Sequence, residues 1–352
     1  MGKLLIVSLH TRGGCYHYSN EIISRISLEK DVYLNGITQE KHNIKNYSIL
    51  KAYGYNRLEK YISLFLFLLK IYFYGVVNKY NALLLMGFTA WDPFIAKVFK
   101  WTGKSVFYVV HDGKVHLGET GDFTQKRTVS AMQDSKYLIF LSDYVRNLVK
   151  ENFGIQKDSY ITPHGLINYG KLPLKPKSKK EKPILLFLGR LSKYKGVDLF
   201  IDALKDIPDV FSKVIIAGKT MFGYEINTDN PKIEIIDKWL LEDEMADLLN
   251  ECDILVFPYL EATQSGIATL AINYLVPSIV NNVGGLYEQF PNETALFQNP
   301  EITELRESII ELSTNNDLYK SISDKLLFLR ESYSWDNITL GLENFISTNI
   351  ER

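Results

Sequence analysis

A chain of 352 residues is long enough for two cores, and its composition, 46% hydrophobic and 23% charged, excludes a disordered or fibrous protein. The net charge of −1 hides an asymmetry: residues 1–170 carry 21 Lys and Arg against 13 Asp and Glu, a balance of +8, and residues 171–352 carry 19 against 28, a balance of −9. The two cysteines, Cys15 in a glycine loop and Cys252 ahead of an apolar strand, exclude a disulfide framework and fit a reducing cytoplasm.

In chain order, Leu4–Leu9 reads as a buried strand, Gly13-Gly14 as a turn, and Tyr18–Ile26 as a helix. The apolar run Lys3–Val7 is too short for a secretory signal and runs straight into polar residues, so no such signal is expected. Strands follow at Ala82–Met86, Ser105–Val110 and Tyr137–Leu141, with helices at Trp91–Trp101, Thr124–Met132 and Tyr144–Phe153. Lys60–Lys79 is an apolar stretch interrupted by Lys70 after eight residues. That rules out a spanning helix, which needs about 20 apolar residues. Two readings stay open for it: a helix lying on an anionic membrane surface, or a helix with Phe65, Phe67 and Leu68 in the core.

Lys171–Lys182, with two prolines and six lysines, breaks this rhythm and reads as an extended linker. The rhythm then resumes. Strands are expected at Ile184–Leu188, Val214–Ala217, Ile233–Ile236, Ile254–Phe257 and Ser278–Asn281. Helices are expected at Val197–Leu204, Glu242–Leu249, Ile267–Tyr274, Ile302–Leu312, Leu318–Arg330 and Asp336–Ile346. The sum is an α/β protein of two doubly wound, Rossmann-like domains, 1–170 and 183–335, facing across a cleft. A ligand is expected at the strand C-termini.

The most informative stretch is Gly189-Arg190-Leu191-Ser192-Lys193-Tyr194-Lys195-Gly196, between a strand and a helix start. Glycine permits a tight turn, and Arg190 and Lys195 supply two separated cations for a diphosphate. No Walker pattern is present, and neither an Asp-x-Asp pair nor a Cys/His metal spacing occurs, so no metal cofactor is expected. The first strand is followed by Gly13-Gly14. Another strand ends in Val109-Val110-His111-Asp112-Gly113-Lys114-Val115-His116, and Thr162-Pro163-His164-Gly165 closes the first domain. In the second half, Pro258–Gly266 (PYLEATQSG) opens a helix, Asn282–Glu288 (NVGGLYE) follows the next strand, and Tyr333-Ser334-Trp335-Asp336 opens the last helix.

In layout and in these motifs the chain resembles glycosyltransferase family four, the retaining, nucleotide-sugar-dependent enzymes of GT-B fold. The resemblance implies that the first domain binds acceptor, the second binds donor, and residues 336–352 pack back on the first domain. It assigns catalytic roles to His111, Arg190, Lys195 and Glu261, with His111 against the donor sugar. Donor contacts fall to Gly13, Gly14, Gly189, Thr263, Gln264, Ser265, Gly266 and Glu288, and acceptor contacts to Asp112 and His116. His164 is expected to be structural. Glu261 stands at the first position of the family's E-x7-E signature, but the second is Thr269, or Leu270 in a register shifted by one, so the carboxylate that holds the nucleotide ribose is missing.

The expected reaction is metal-independent hexosyl transfer with retention, from a nucleotide-diphosphate sugar to a glycan or polyprenyl-diphosphate-linked acceptor, in capsule or O-antigen synthesis. The expected place is the cytoplasm, peripherally on the inner face of the plasma membrane. The alternatives are a sugar-nucleotide epimerase of the same fold and a catalytically reduced binding protein. A nucleic-acid partner is not expected, because the basic residues are scattered and no recognition module is present.

Overall fold

The computed structural model describes residues 3–38, 43–87, 89–113, 122–221 and 223–350. The chain divides into two compact units. Of the described residues, those up to 113, 122–165 and those from 335 on form one, and those within 166–334 form the other.

The first unit runs β1 (Lys3–Ser8), α1 (Gly13–Arg25), β2 (Lys30–Asn35), β3 (Tyr47–Leu50), α2 (Arg57–Val76), β4 (Tyr80–Leu85), α3 (Asp92–Lys100), β5 (Ser105–Val110), α4 (Asp122–Asp134), β6 (Tyr137–Phe140), α5 (Asp143–Phe153) and β7 (Ser159–Ile161). Its seven strands pair in parallel in the order β3-β2-β1-β4-β5-β6-β7, so the order reverses between β1 and β4. Strands buried on both faces must be apolar at every position. Leu5, Val7, Leu83 and Leu85 feed one core layer, and Leu4, Ile6, Ala82 and Leu84 feed the other.

The second unit runs β8 (Ile184–Leu188), a single 3-10 turn Lys193–Lys195, α6 (Val197–Ala203), β9 (Lys213–Gly218), β10 (Ile233–Asp237), α7 (Glu242–Glu251), β11 (Ile254–Phe257), α8 (Gly266–Asn273), β12 (Ser278–Asn281), α9 (Leu286–Gln289), β13 (Leu296–Gln298), α10 (Ile302–Thr314) and α11 (Asn316–Ser332). Its six parallel strands lie in the order β10-β9-β8-β11-β12-β13, with the reversal between β8 and β11. The last helix, α12 (Trp335–Asn349), belongs to the first unit. There Leu342 and Ile346 join Tyr18 and Ile22 of α1 in one apolar layer. Glu343 accepts the Leu28 backbone N–H at 2.9 Å, just beyond the end of α1.

The α/β doubly wound reading holds, and each strand named from the sequence is present. Four strands went unread: β2, β3, β7 and β13. They are short or carry polar residues; β3, β7 and β13 are edge strands and β2 lies beside one, where apolar runs are not required. Helix α1 begins at Gly13, five residues earlier than read, so the glycine pair is the helix start rather than a loop before it. Lys171–Lys182 forms no helix or strand, yet it is no free tether. Lys177 Nζ donates to the Leu249 and Cys252 carbonyls (2.9 and 2.7 Å) at the end of α7, and Lys179 Nζ donates to Ser313 O (2.7 Å) near the end of α10. Lysines of the expected linker thus satisfy helix C-terminal carbonyls.

Helix α2, over the stretch left open between two readings, buries one apolar face and exposes another. Its start is capped by Asn56, whose side chain accepts the Glu59 N–H at 3.0 Å. Phe67 and Ile71 are buried and Leu68 packs partly against the core, but Phe65 is 61% exposed. Leu58, Tyr61, Phe65, Leu69, Tyr72 and Val76, at helical spacing, are all exposed as a second apolar face. Among the described residues no helix is long and apolar enough to cross a membrane.

Candidate functional site

In each unit the loops beside the strand-order reversal gather the chemistry-bearing residues, as the topology of a doubly wound sheet favours.

In the second unit these loops are Gly189–Gly196 after β8 and Pro258–Ser265 after β11. The Leu260 N–H donates to the Tyr194 carbonyl at 2.8 Å and ties them together. Gly196 is where they touch: its φ is +66°, and a Cβ there would lie 1.8 Å from the Pro258 carbonyl oxygen. Lys195 is only 8% exposed, with Nζ 3.6 Å from the centre of the Tyr259 ring and 5.1 Å from that of Tyr194. Arg190 is exposed and donates to the Tyr194 hydroxyl at 2.9 Å. One tyrosine therefore steadies both cations. A desolvated cation over an aromatic face gains about 2 kcal/mol, so the Tyr259 ring helps hold the Lys195 ammonium in place. Helix α6 begins at Val197, as read from the sequence, and the structure adds a 3-10 turn, Lys193–Lys195, within the turn that precedes it.

The second loop is braced from beneath. Gln289 of α9 accepts the Ser265 N–H at 2.7 Å and donates to the Ser265 carbonyl at 3.1 Å. Asn281 Nδ2 donates to Tyr259 O at 3.1 Å, and Gln298 donates to Asn281 Oδ1 at 2.8 Å. Ser265 Oγ lies 3.3 Å from the Tyr259 hydroxyl. The backbone donor expected from Ser265 is therefore already committed, and Gly266 opens α8 behind it. Thr263 is buried, Glu261 is half-buried, and Gln264 has its Oε1 buried with no hydrogen-bond partner. Glu288 is half-buried in α9. The Tyr333 phenol is pushed up by burial and then by the Glu288 charge. Neither residue at the missing carboxylate position is a substitute: Leu270 is in the core, and buried Thr269 donates to Gly266 O at 2.8 Å and accepts the Ile167 N–H at 3.3 Å.

In the first unit the ends of β1, β4 and β5 bring together His10, Met86 and His111. His111 is 2% exposed, its Nε2 is 2.8 Å from the Met86 carbonyl, and its ring stands edge-on to His10 and Tyr18, both at 5.5 Å. Burial holds its pKa below the usual histidine range. His10 Nδ1 is 3.0 Å from Ser19 Oγ, which itself donates to the Cys15 carbonyl at 2.7 Å. Burial and then the neighbouring His111 push His10 down to about 3, against a pull from the Gly87 carbonyl. His10 is half-buried as a residue, but its Nε2 is out of reach of water.

One ring nitrogen from each histidine and the Cys15 sulfur lie within 4.8 Å of one another. The sequence spacing hid this cluster, because about a hundred residues separate its third member from the other two. The one available signal was a polar residue, His10, closing the apolar strand Leu4–Leu9.

Asp112 is half-buried beside His111, and its charge opposes the fall in the His111 pKa. His116 lies outside the described residues. Gly13 has φ +77°, and a Cβ on Gly13 or Gly14 would meet nothing within 4 Å. The backbone there is open on one side, as close approach of a ligand requires. His164 is buried against Tyr18 and Trp335, with ring centres at 5.7 and 5.5 Å, a packing role. Tyr259, Gln289 and His10 went unselected in the sequence because each acts through a neighbour distant in the chain.

Residues 171–325 match the family model described as Glycosyl transferases group 1. Two relatives are uncharacterized glycosyltransferases of Methanocaldococcus jannaschii. MJ1178 is 27% identical over 231 residues, 60% of this chain and 59% of that relative; MJ1069 is 25% identical over 276 residues, 69% of this chain and 68% of that relative. The match thus spans less than two thirds of MJ1178. Among solved structures, Anabaena Alr3699/HepE in complex with UDP and glucose has a TM-score of 0.72 at 15% identity, over 99% of this chain and 100% of that one. The apo form of the lipopolysaccharide outer core galactosyltransferase WaaB has a TM-score of 0.70 at 12% identity, over 99% of both chains. WaaG, a glycosyltransferase involved in lipopolysaccharide biosynthesis, has a TM-score of 0.65 at 13% identity, over 98% and 99%. The likeness to solved structures shows the GT-B fold of glycosyltransferases, and residues 171–325 are similar to the group 1 glycosyl transferases.

Proposed function

We propose that this chain is a retaining, metal-independent glycosyltransferase that moves a hexosyl group from a nucleotide-diphosphate sugar to a glycan or lipid-linked glycan. The observation that carries the reading is the braced pair of cations, Arg190 and Lys195, beside the strand-order reversal of the second unit. Departure of the nucleotide builds negative charge on the β-phosphate, and fixed cations stabilise it without reorganising. Solved structures of the same fold described as complexes with UDP and UDP-glucose support a nucleotide-sugar donor. His111, neutral and with its Nε2 turned to Met86 O, would hold the donor sugar through its other nitrogen. No covalent nucleophile is assigned, and retention follows from front-face attack by the acceptor hydroxyl.

Arg190→Ala and Lys195→Met should each lower kcat about 100-fold, or about 3 kcal/mol of transition-state stabilisation, with the fold intact. Methionine at 195 keeps contact with the Tyr259 ring, so lost charge is separated from lost packing. Turnover should also survive EDTA. Near-normal rates in both variants would overturn the donor-site assignment.

The burial of Thr269 and Leu270 favours a second reading, a donor-binding protein without transfer. Binding of nucleotide-sugar with neither transfer nor hydrolysis would select it.

The exposed apolar face of α2 favours a membrane-bound acceptor. Arg57, Lys70 and Lys79 are exposed and Lys60 half-buried along this segment, while its one acidic residue, Glu59, is paired with Lys51 at 3.1 Å. Apolar side chains framed by cations match an anionic lipid surface, where each cation contributes about 1 kcal/mol. A polyprenyl-diphosphate acceptor on the cytoplasmic leaflet, in surface polysaccharide synthesis, fits this face. In flotation with anionic vesicles at low salt, the chain should rise with the lipid and Phe65→Glu/Leu69→Glu should not. A wild-type chain left in solution would point to a soluble acceptor.

A further inference from the structure

His10 and His111 have their protonation pattern fixed by their neighbours. Ser19 spends its hydroxyl proton on the Cys15 carbonyl, so His10 Nδ1 must be the N–H that donates to Ser19 Oγ. The Met86 carbonyl can only accept, so His111 Nε2 must carry a proton. That leaves His10 Nε2 and His111 Nδ1 as bare lone pairs. These are the two ring atoms that are buried without a hydrogen-bond partner. Both histidines share this cluster with the Cys15 thiol, which carries a single proton, whereas a cation serves both rings at once. In each ring the other nitrogen is anchored on an oxygen, the outer arrangement that orients a metal-binding imidazole. The third member, Cys15, brings a thiol carried by the first turn of α1.

We propose that His10, Cys15 and His111 form a binding site for a thiophilic cation of the zinc class. Two imidazoles and one thiolate make a three-ligand set that leaves a fourth position open, and binding releases the Cys15 thiol proton. Ligand atoms around a tetrahedral zinc sit roughly 3.3 to 3.8 Å apart. The observed cluster within 4.8 Å therefore needs only about an ångström of side-chain closure. A cation here takes the His111 lone pair, which the proposed function assigns to the donor sugar, so zinc should inhibit transfer. That consequence rests on the proposed function; the binding does not.

The test uses the whole chain, freed of metal by dialysis against a chelator and titrated with Zn²⁺ in competition with a chromophoric chelator. One equivalent should bind, and Cys15→Ser and His10→Asn should each weaken it about 100-fold or more. The Co²⁺ form should show a thiolate-to-cobalt band in the near ultraviolet that Cys15→Ser lacks. Circular dichroism checks that the variants are folded. Wild-type affinity no higher than that of Cys15→Ser, or a cobalt spectrum without the thiolate band, would overturn the site. Tight binding without inhibition would leave the site standing and overturn the donor role of His111.

Discussion

In the first unit His10, His111 and His164 each present a ring nitrogen that water does not reach, whereas from Leu166 onward the chain contains no histidine. The second unit relies on lysines instead: Lys195 lies over Tyr259, and Lys177 and Lys179 sit on helix-end carbonyls. The cores differ as well. The sheet of the first unit separates two apolar layers, while the buried residues of the second form one continuous cluster. A buried neutral imidazole is stable at neutral pH and a liability in acid. The described part of the second unit has no imidazole to protonate in that range. Units with the same architecture should therefore fail under different insults.

Acid gives the largest expected effect. Burial lowers His10 to about 3 and His164 to about 4, from an ordinary value of 6.5. A lowered imidazole binds fewer protons folded than unfolded. The stability it contributes is complete above pH 6.5 and is lost as pH falls towards the folded value. At about pH 4 the two histidines together withdraw on the order of 7 kcal/mol, comparable to the net stability of a domain. In the second unit, hydrogen bonds from Lys182 and Lys232 lower exposed Asp209 to about 2, so its smaller contribution is lost only below the ordinary carboxylate range. Hydrogen exchange at stepped pH should show the first unit opening between about pH 6 and 4 with the second still protected. Simultaneous loss in both would break the comparison.

Glycines with positive φ sharpen it from the packing side. Gly196→Ala places a methyl against the Pro258 carbonyl and should destabilise the second unit by about 4 kcal/mol or more. Gly13→Ala meets open space, and only its φ of +77° opposes the change, at about 1 kcal/mol. Thermal unfolding of both variants checks the difference. Equal losses would mean that the loops of the second unit yield more easily than their ties imply.

A further pH effect runs opposite to the first. Burial raises Asp92 in the first unit to about 6, although Thr89 donates to it from backbone (2.7 Å) and side chain and Tyr108 donates at 3.3 Å. A raised carboxyl binds more protons folded, so its contribution is complete below the ordinary carboxylate value and is lost as pH rises through about 6. The stability of the wild type relative to Asp92→Asn should fall by about 2 kcal/mol between pH 4 and 7. A difference independent of pH in denaturant titrations would show that Asp92 titrates normally.

The sequence by itself determined the doubly wound fold and its inner strands, because strands covered on both faces must be continuously apolar, as in Ile184–Leu188 and Ser105–Val110. It also determined the cation-bearing turn Gly189–Gly196, whose glycines and charges stand within eight residues. Edge strands such as β3 and β13 were not legible, since partial exposure removes the apolar run and only pairing defines them. Tertiary structure alone decided the rest. It split the apolar residues of α2 between a buried and an exposed face, brought Gln289 under Ser265, and set His111 against His10 and Cys15. The physical reason is the same in each case: a hydrogen bond or lone pair acts over about 3 Å of space, and the chain brings those partners together only through the order in which its strands are laid down.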